Sequence, residues 1–273
     1  MRRSPRLMIA LVMAFVALMG YYASRERNPV TGEMQAIGMD QNQEIALGLQ
    51  SAPQMAAEFG GLDPDPAAQQ LVSGVGNKIV AGSDAAKTGY QFHFRLLADP
   101  QTVNAFALPG GPIFITRALF DRLQTEGQLA GVLGHEIGHV VGRHSSERIA
   151  KDRLLQGLIG AVGVAGSDDG GGGQQAAAVA SVVGQMVQLR YGREDELQSD
   201  TLGVRFISDA GYDPSALIKV MDILEEASGG ARQPEFMSTH PDPGNRRETI
   251  QQAIKERFPN GVPPNLSQGR PIR

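Results

Sequence analysis

His135-Glu136-Ile137-Gly138-His139 is the stretch of this chain most able to do chemistry. On a helix, two histidines four residues apart share a face, with Cβ atoms about 5–6 Å apart. Both rings can then reach one zinc ion at about 2.0–2.1 Å. Glu136 sits about 100° further round the helix. Its longer side chain can reach a water beside the ion without ligating it, the position of a general base in a zinc hydrolase. A catalytic zinc site takes three protein ligands, and two imidazoles leave it incomplete. Candidates for the third lie in Arg193-Glu194-Asp195-Glu196-Leu197-Gln198-Ser199-Asp200. Glu196 and Asp200 are four apart on an expected helix. One could ligate while the other accepts a hydrogen bond from a ligating histidine and fixes its tautomer. Spacing alone leaves Glu194 open as the ligand too. His144, just past the motif, falls on the apolar side if the helix continues, and is expected to cap or pack. His93, on the polar side of an expected strand, is expected to be solvated.

These residues need elements to hold them. Thr125-Glu126-Gly127-Gln128 matches a capping box, and the helix it opens is expected to run past Arg143. Gly127, Gly131, Gly134, Gly138 and Gly142 form a stripe on one flank of the histidine face. Each glycine could cost about 1 kcal/mol relative to alanine, so a second backbone or a ligand is expected to come close there; tight helix packing without chemistry is the alternative. Glu194 to Ser208 reads as the helix carrying the acidic residues. Upstream, helices are expected over Gln41–Phe59, bent at Pro53, and from Asp65-Pro66 to Gly82. Strand periodicity marks Tyr90–Leu96, with further strands at Thr102–Leu108 and Pro112–Thr116 around the Pro109-Gly110-Gly111 turn. Downstream, Gln174 to Arg190 reads as helix, and Asp213-Pro214 and Asp242-Pro243 each open another.

Composition limits the alternatives. The 273 residues are 41% apolar and 20% charged, which predicts a packed core. Cys is absent, so disulfides, thiolate zinc sites and cysteine nucleophiles are excluded. Residues 1–27 hold five arginines against Glu26, leaving 20 basic against 28 acidic residues in the remainder. That acidic remainder is a poor partner for a phosphate backbone, so no nucleic acid is expected. After the basic leader, Leu7–Tyr22 is uncharged over a length between that of a signal peptide and a full membrane span. Residues 1–24 read as signal peptide or membrane anchor, with the chain beyond them on the non-cytoplasmic side. Leu154–Gly166 is apolar but too short to span a membrane, and Gln156 interrupts it; with the Gly-rich loop to Gly173, between the two ligand-bearing helices, it is expected to act as a lid, the alternative being an ordinary helix and connector.

The sequence resembles the zinc metallopeptidase (gluzincin) family that includes HtpX, BepA and the CAAX prenyl protease. The resemblance covers about residues 40–255. It rests on Asn104-Ala105-Phe106-Ala107-Leu108-Pro109-Gly110-Gly111, on His135–His139 with Val140 to His144 after it, on Glu196 to Asp200, and on Thr239-His240-Pro241 followed by Arg246. Ser199 stands where the family usually has Ala, and Gly192 where it usually has Ser. The resemblance implies a mainly helical α+β, zincin-like fold with a small sheet whose edge strand lines the cleft. It selects Glu196 as third ligand to one Zn2+ per chain, beside His135 and His139, with Asp200 in support. It also implies that His240 reaches in from a loop to bear the oxyanion or cover the metal, and that Arg246 supports that loop or the developing charge. Asn104, Ala105, Phe106 and Ala107 would bind extended polypeptide substrates by main-chain hydrogen bonds.

The organisation expected is an anchor or signal over 1–24, a linker over 25–39, a peptidase domain over 40–258 and a flexible tail over 259–273. The function expected is a zinc metalloendopeptidase of the cell envelope, membrane-anchored or secreted across the inner membrane. It would act from the periplasmic side on unfolded or misassembled proteins in protein quality control. The alternative is a membrane-tethered, chaperone-like binding module with a non-catalytic metal site.

Overall fold

The computed structural model describes residues 5–166, 191–229, 235–240 and 244–272. The chain divides into a smaller unit, residues 1–40 with 145–189, and a larger one, residues 41–144 with 190–273. In the smaller unit, α1 (Pro5–Ala23) is long and apolar enough to cross a membrane. The expected linker after it holds an antiparallel pair, β1 (Arg25–Arg27) and β2 (Met34–Ala36). Its turn closes on Asn28, whose Oδ1 accepts hydrogen bonds from the Val30 and Thr31 N–H groups.

The larger unit opens with α2 (Gln41–Glu58), which carries Pro53 inside it, and α3 (Pro66–Gly82). Asp65 caps α3 by accepting from the Ala67 and Ala68 N–H groups, and Pro66 takes the first helical position. The three-stranded sheet has the order β3-β5-β4. β3 (His93–Leu97) runs parallel to β5 (Pro112–Thr116), and β4 (Ala105–Ala107) runs antiparallel to it. β3 keeps the expected alternation, with Phe94 and Leu96 buried and His93 and Arg95 exposed. The preceding residues Tyr90 to Phe92 lie outside the strand. β5 is the middle strand and all five of its residues are buried. The turn between β4 and β5 requires its glycines: a Cβ on Gly110 would stand 2.3 Å from Ile45 Cα, and both Gly110 and Gly111 have positive φ.

β5 leads through α4 (Arg117–Phe120) to α5 (Glu126–Val141), where Thr125 Oγ1 accepts from the Gln128 N–H. α5 ends at Val141 and does not run past Arg143 as expected. Arg143 adopts φ 57°, a left-handed conformation that stops a helix. Its Nε donates to Glu44 Oε1 at 3.0 Å, and this buried partner on α2 holds the bend. A new helix, α6 (His144–Gly166), starts at the next residue. After the undescribed segment come α7 (Arg193–Asp209), α8 (Ser215–Ser228), α9 (Glu235–Thr239) and α10 (Arg246–Arg257). The main packing partner of α5 is α7. The helix expected over 174–190, the loop half of the expected lid (167–173) and the expected helix start at Asp242-Pro243 lie outside the described residues.

The segment after Pro259 departs from the loose tail expected of its composition. The Glu126 N–H donates to Arg270 O at 2.9 Å, Gly127 N–H to Gln268 O at 2.7 Å, and Asp213 N–H to Ser267 O at 2.9 Å. The first N–H groups of a helix have no partners within it. Tail carbonyls supply them for α5, and this overrides the polar composition.

Candidate metal centre

α5 presents His135 and His139 on one face, and α7 presents Glu196 and Asp200 opposite them. The close approach comes from the glycine stripe. A Cβ on Gly138 would lie 2.9 Å from Ser199 O, and one on Gly134 would lie 2.5 Å from Ile207 Cγ2. Another backbone therefore does approach the stripe, and it is the one carrying the acidic residues.

His135, His139, Glu196 and His240 each offer a ligand atom, all within 4.8 Å of one another, and all four residues are buried. His135 Nε2 lies 3.0 Å from His139 Nε2 and 3.3 Å from His240 Nδ1. Glu196 Oε1 lies 3.4 Å from His139 Nε2 and 3.0 Å from His240 Nδ1. His240 reaches the cluster from the end of α9, where Phe236 stacks on its ring with centroids 4.4 Å apart. Glu194 is exposed at the start of α7 and is not in the cluster. Behind the cluster, His135 Nδ1 lies 2.8 Å from Asp200 Oδ1. Arg246 grips Asp200 with two bonds, Nε to Oδ2 at 2.8 Å and Nη2 to Oδ1 at 2.7 Å, and its Nη1 lies 3.3 Å from Glu196 Oε2. Arg246 is thus anchored to the acidic helix.

Glu136 stands apart from these bonds. Both carboxyl oxygens are buried and neither has a hydrogen-bond partner among the described residues; His240 Nε2, likewise without one, is 3.6 Å from Oε1. Burial pushes the Glu136 carboxyl above the usual carboxylate range. It also pushes the His139 imidazole well down. His135 goes the other way. Burial and the Arg246 charge lower it, but the bonds to Asp200 and Glu196 prevail and raise it to about 9. Burial works against ionising Glu196 too, yet the three imidazoles around it hold it well below the ordinary value. The site therefore favours positive charge at its centre. With the imidazoles neutral, as metal ligands must be, and the carboxyls ionised, Glu136, Glu196 and Asp200 outweigh Arg246 by two charges, the amount a divalent cation neutralises. Unpartnered buried oxygens and three converging imidazoles make the donor set fit such an ion.

His144 does more than the capping or packing expected of it. Its Nδ1 lies 2.8 Å from His139 Nδ1, and its Nε2 lies 2.8 Å from Gln198 Oε1. It stands behind His139 as Asp200 stands behind His135. Asn104 to Ala107 are buried at the sheet edge. Asn104 bonds to Thr116, its N–H donating to Oγ1 at 3.1 Å, while its Oδ1 is buried without a partner among the described residues. Asn104 C=O accepts from the Thr116 N–H and the Leu108 N–H donates to Pro112 O, so alternation turns the N–H and C=O groups of Ala105 and Ala107 to the outer edge. The residue just before Asn104, Val103, already accepts at its C=O from the Phe236 N–H at 3.1 Å.

Helix-borne histidines, an acidic second helix and a small sheet beside them are the build of a metallopeptidase. Residues 66–254 match Peptidase family M48, and the chain belongs to that family. It is 30% identical over 249 residues to the beta-barrel assembly-enhancing protease of Yersinia pestis, covering 89% of this chain and 50% of that protein. Against the protein of the same name in Escherichia coli K12 it is 31% identical over 188 residues, 67% of this chain and 38% of that protein. Mitochondrial metalloendopeptidase OMA1 of Schizosaccharomyces pombe is 30% identical over 186 residues, 68% of this chain and 52% of that protein. The chain thus spans about half or less of the length of these relatives.

Proposed function

We propose that the chain is a zinc-dependent endopeptidase of the cell envelope, tethered by α1 and cutting unfolded or misassembled polypeptides. The observation that carries this reading is the unpartnered, buried Glu136 carboxyl beside a cluster of three imidazoles and one carboxylate. His135, His139 and Glu196 would hold the ion, with His240 in the fourth place until substrate enters; nitrogen donors with one carboxylate suit zinc. Bound there, zinc would supply Lewis acidity toward a scissile carbonyl and a water that ionises near neutral pH. Glu136 would serve as general base and then as proton donor to the leaving amine, a role its burial and lack of competing partners favour. The His240 Nε2, 3.6 Å from Glu136, donates toward the developing oxyanion. Asp200 and Arg246 keep His135 turned toward the ion. The outward main-chain groups of Ala105 and Ala107 would pair with an extended substrate, a sequence-tolerant mode suited to unfolded chains. The envelope location is supported by the apolar α1 and by the relatives named beta-barrel assembly-enhancing protease.

The test is metal analysis combined with proteolysis of an unfolded protein. We expect about one zinc per chain and fragments that disappear with a chelator. Glu136→Gln should keep the metal and lower the cleavage rate by about 10²–10⁴-fold. Undiminished cleavage by that variant rejects the assignment, and protection without fragments by the native chain points to a binding module.

A further inference from the structure

α6 changes character along its length. Up to Arg153 it is charged, with Glu147, Arg148, Lys151 and Asp152; from Leu154 to Gly166 it carries no charge, and Gln156 is its one polar side chain. Leu155, Ile159 and Val162 are exposed by 56, 61 and 72%, a stripe at helical spacing with none of the described residues over it. The opposite side of this half meets α1. A Cβ on Gly157 would stand 2.8 Å from Ala17 Cβ, and one on Gly160 would stand 3.6 Å from Met13 Cε. Three residues forward on α6 thus carry the contact four residues back on α1, so the helices run antiparallel. In that register Arg153 falls level with Tyr22, one residue before the end of α1. Two bonds agree: Arg153 Nη1 donates to Gly38 O at 2.6 Å, and Ile37 N–H donates to Ser24 O at 3.0 Å. The charged-to-apolar boundary therefore lies at one level on both helices. A helix that is apolar all round belongs in a core or in lipid, and small residues at the contact are how helices approach within a bilayer.

We propose that Leu154–Gly166 is a second membrane-embedded segment, packed antiparallel on α1, with Leu155, Ile159 and Val162 facing acyl chains. The proposal rests on α1 being a membrane anchor. It replaces a lid with an element held by lipid in the same helix that begins at His144.

The chain has no cysteine, so any introduced one is unique. Single variants Val16→Cys, Ile159→Cys and Arg148→Cys of the full chain would be labelled with an environment-sensitive fluorophore. They would be reconstituted into phosphatidylethanolamine–phosphatidylglycerol vesicles with nitroxide spin labels on the acyl chains. Quenching at positions 16 and 159, with none at 148, is the expected result. Quenching at 16 alone overturns the second segment and leaves the anchor standing. Quenching at neither position sinks the anchor reading and the proposal with it. Cross-linking of Ile159→Cys between chains without quenching would assign the stripe to a second copy instead, and also overturns the proposal.

Discussion

His139 has a less usual support than His135. Behind His135 stands a carboxylate already neutralised by Arg246; behind His139 stands another imidazole. The Gln198 amide oxygen can only accept, so His144 must carry its proton on Nε2. Its Nδ1 then accepts from His139 Nδ1–H, which leaves the His139 Nε2 lone pair facing the cluster. Such outer partners are worth about 10–100-fold in metal affinity. His144→Ala should therefore weaken zinc binding by about that factor, measured by competition with a chromophoric chelator, while the fold survives. Unchanged affinity would mean that packing against Tyr191, whose ring stacks 3.8 Å from His139, suffices to orient it. Asp200→Ala is a different experiment. It strips Arg246 of its bidentate partner in a buried site, and urea unfolding should show a loss of about 3–5 kcal/mol. A loss under about 1 kcal/mol, the range of exposed pairs, would show that Arg246 finds water or Glu196 as a substitute.

The pairing of α5 with α7 is what turns two sequence motifs into one site. A Cβ at position 138 meets Ser199 backbone, which cannot move aside as a flexible side chain can. Gly138→Ala gains helix propensity of about 1 kcal/mol yet should still be net destabilising, because overpacking a tight contact costs about 1–3 kcal/mol. Thermal unfolding and zinc affinity should fall together in this variant; a rise in stability with intact affinity would show that α7 is free to shift. Much of this element was legible beforehand. The histidine spacing, the Thr125 cap and the run of five glycines are local signals, and they foretold both the helix and a close neighbour. The end of α5 was not legible, since Arg143 tolerates its positive φ only because Glu44, 99 residues away, holds its guanidinium. The contact of His144 with His139 was not legible for the same reason: extending the helix by one turn rotates it away from His139. The position of Glu196 over Glu194 needed the family pattern, because both fit the spacing and only the approach of α7 separates them.

At the scale of the molecule, the segment from Ser267 to Ile272 is a strap across the starts of α5 and α8. It gives carbonyls to the N–H groups of Glu126, Gly127 and Asp213, and its own Ser267 and Ile272 N–H groups donate to Gly211 O and Gln124 O. Arg270 pairs with Glu126 as well, but at 82% side-chain exposure that pair adds little. Nothing in the Pro- and polar-rich composition of the tail announces this, because the bonds are main-chain and carry no sequence signature. Five such bonds at about 0.5–1.5 kcal/mol each, partly replaced by water once the segment is gone, leave a loss of about 2–4 kcal/mol on deleting 266–273. For a unit of this size that is a fall of about 5–10 °C in Tm. Gly127 precedes His135 by about two turns of helix, so fraying at the start of α5 should leave the metal ligands in place. The deletion should therefore lower Tm while zinc affinity stays within about twofold, since effects at separated sites are nearly additive. Loss of zinc binding in step with stability would show instead that α5 folds as an indivisible rod, and that the strap holds the metal centre itself.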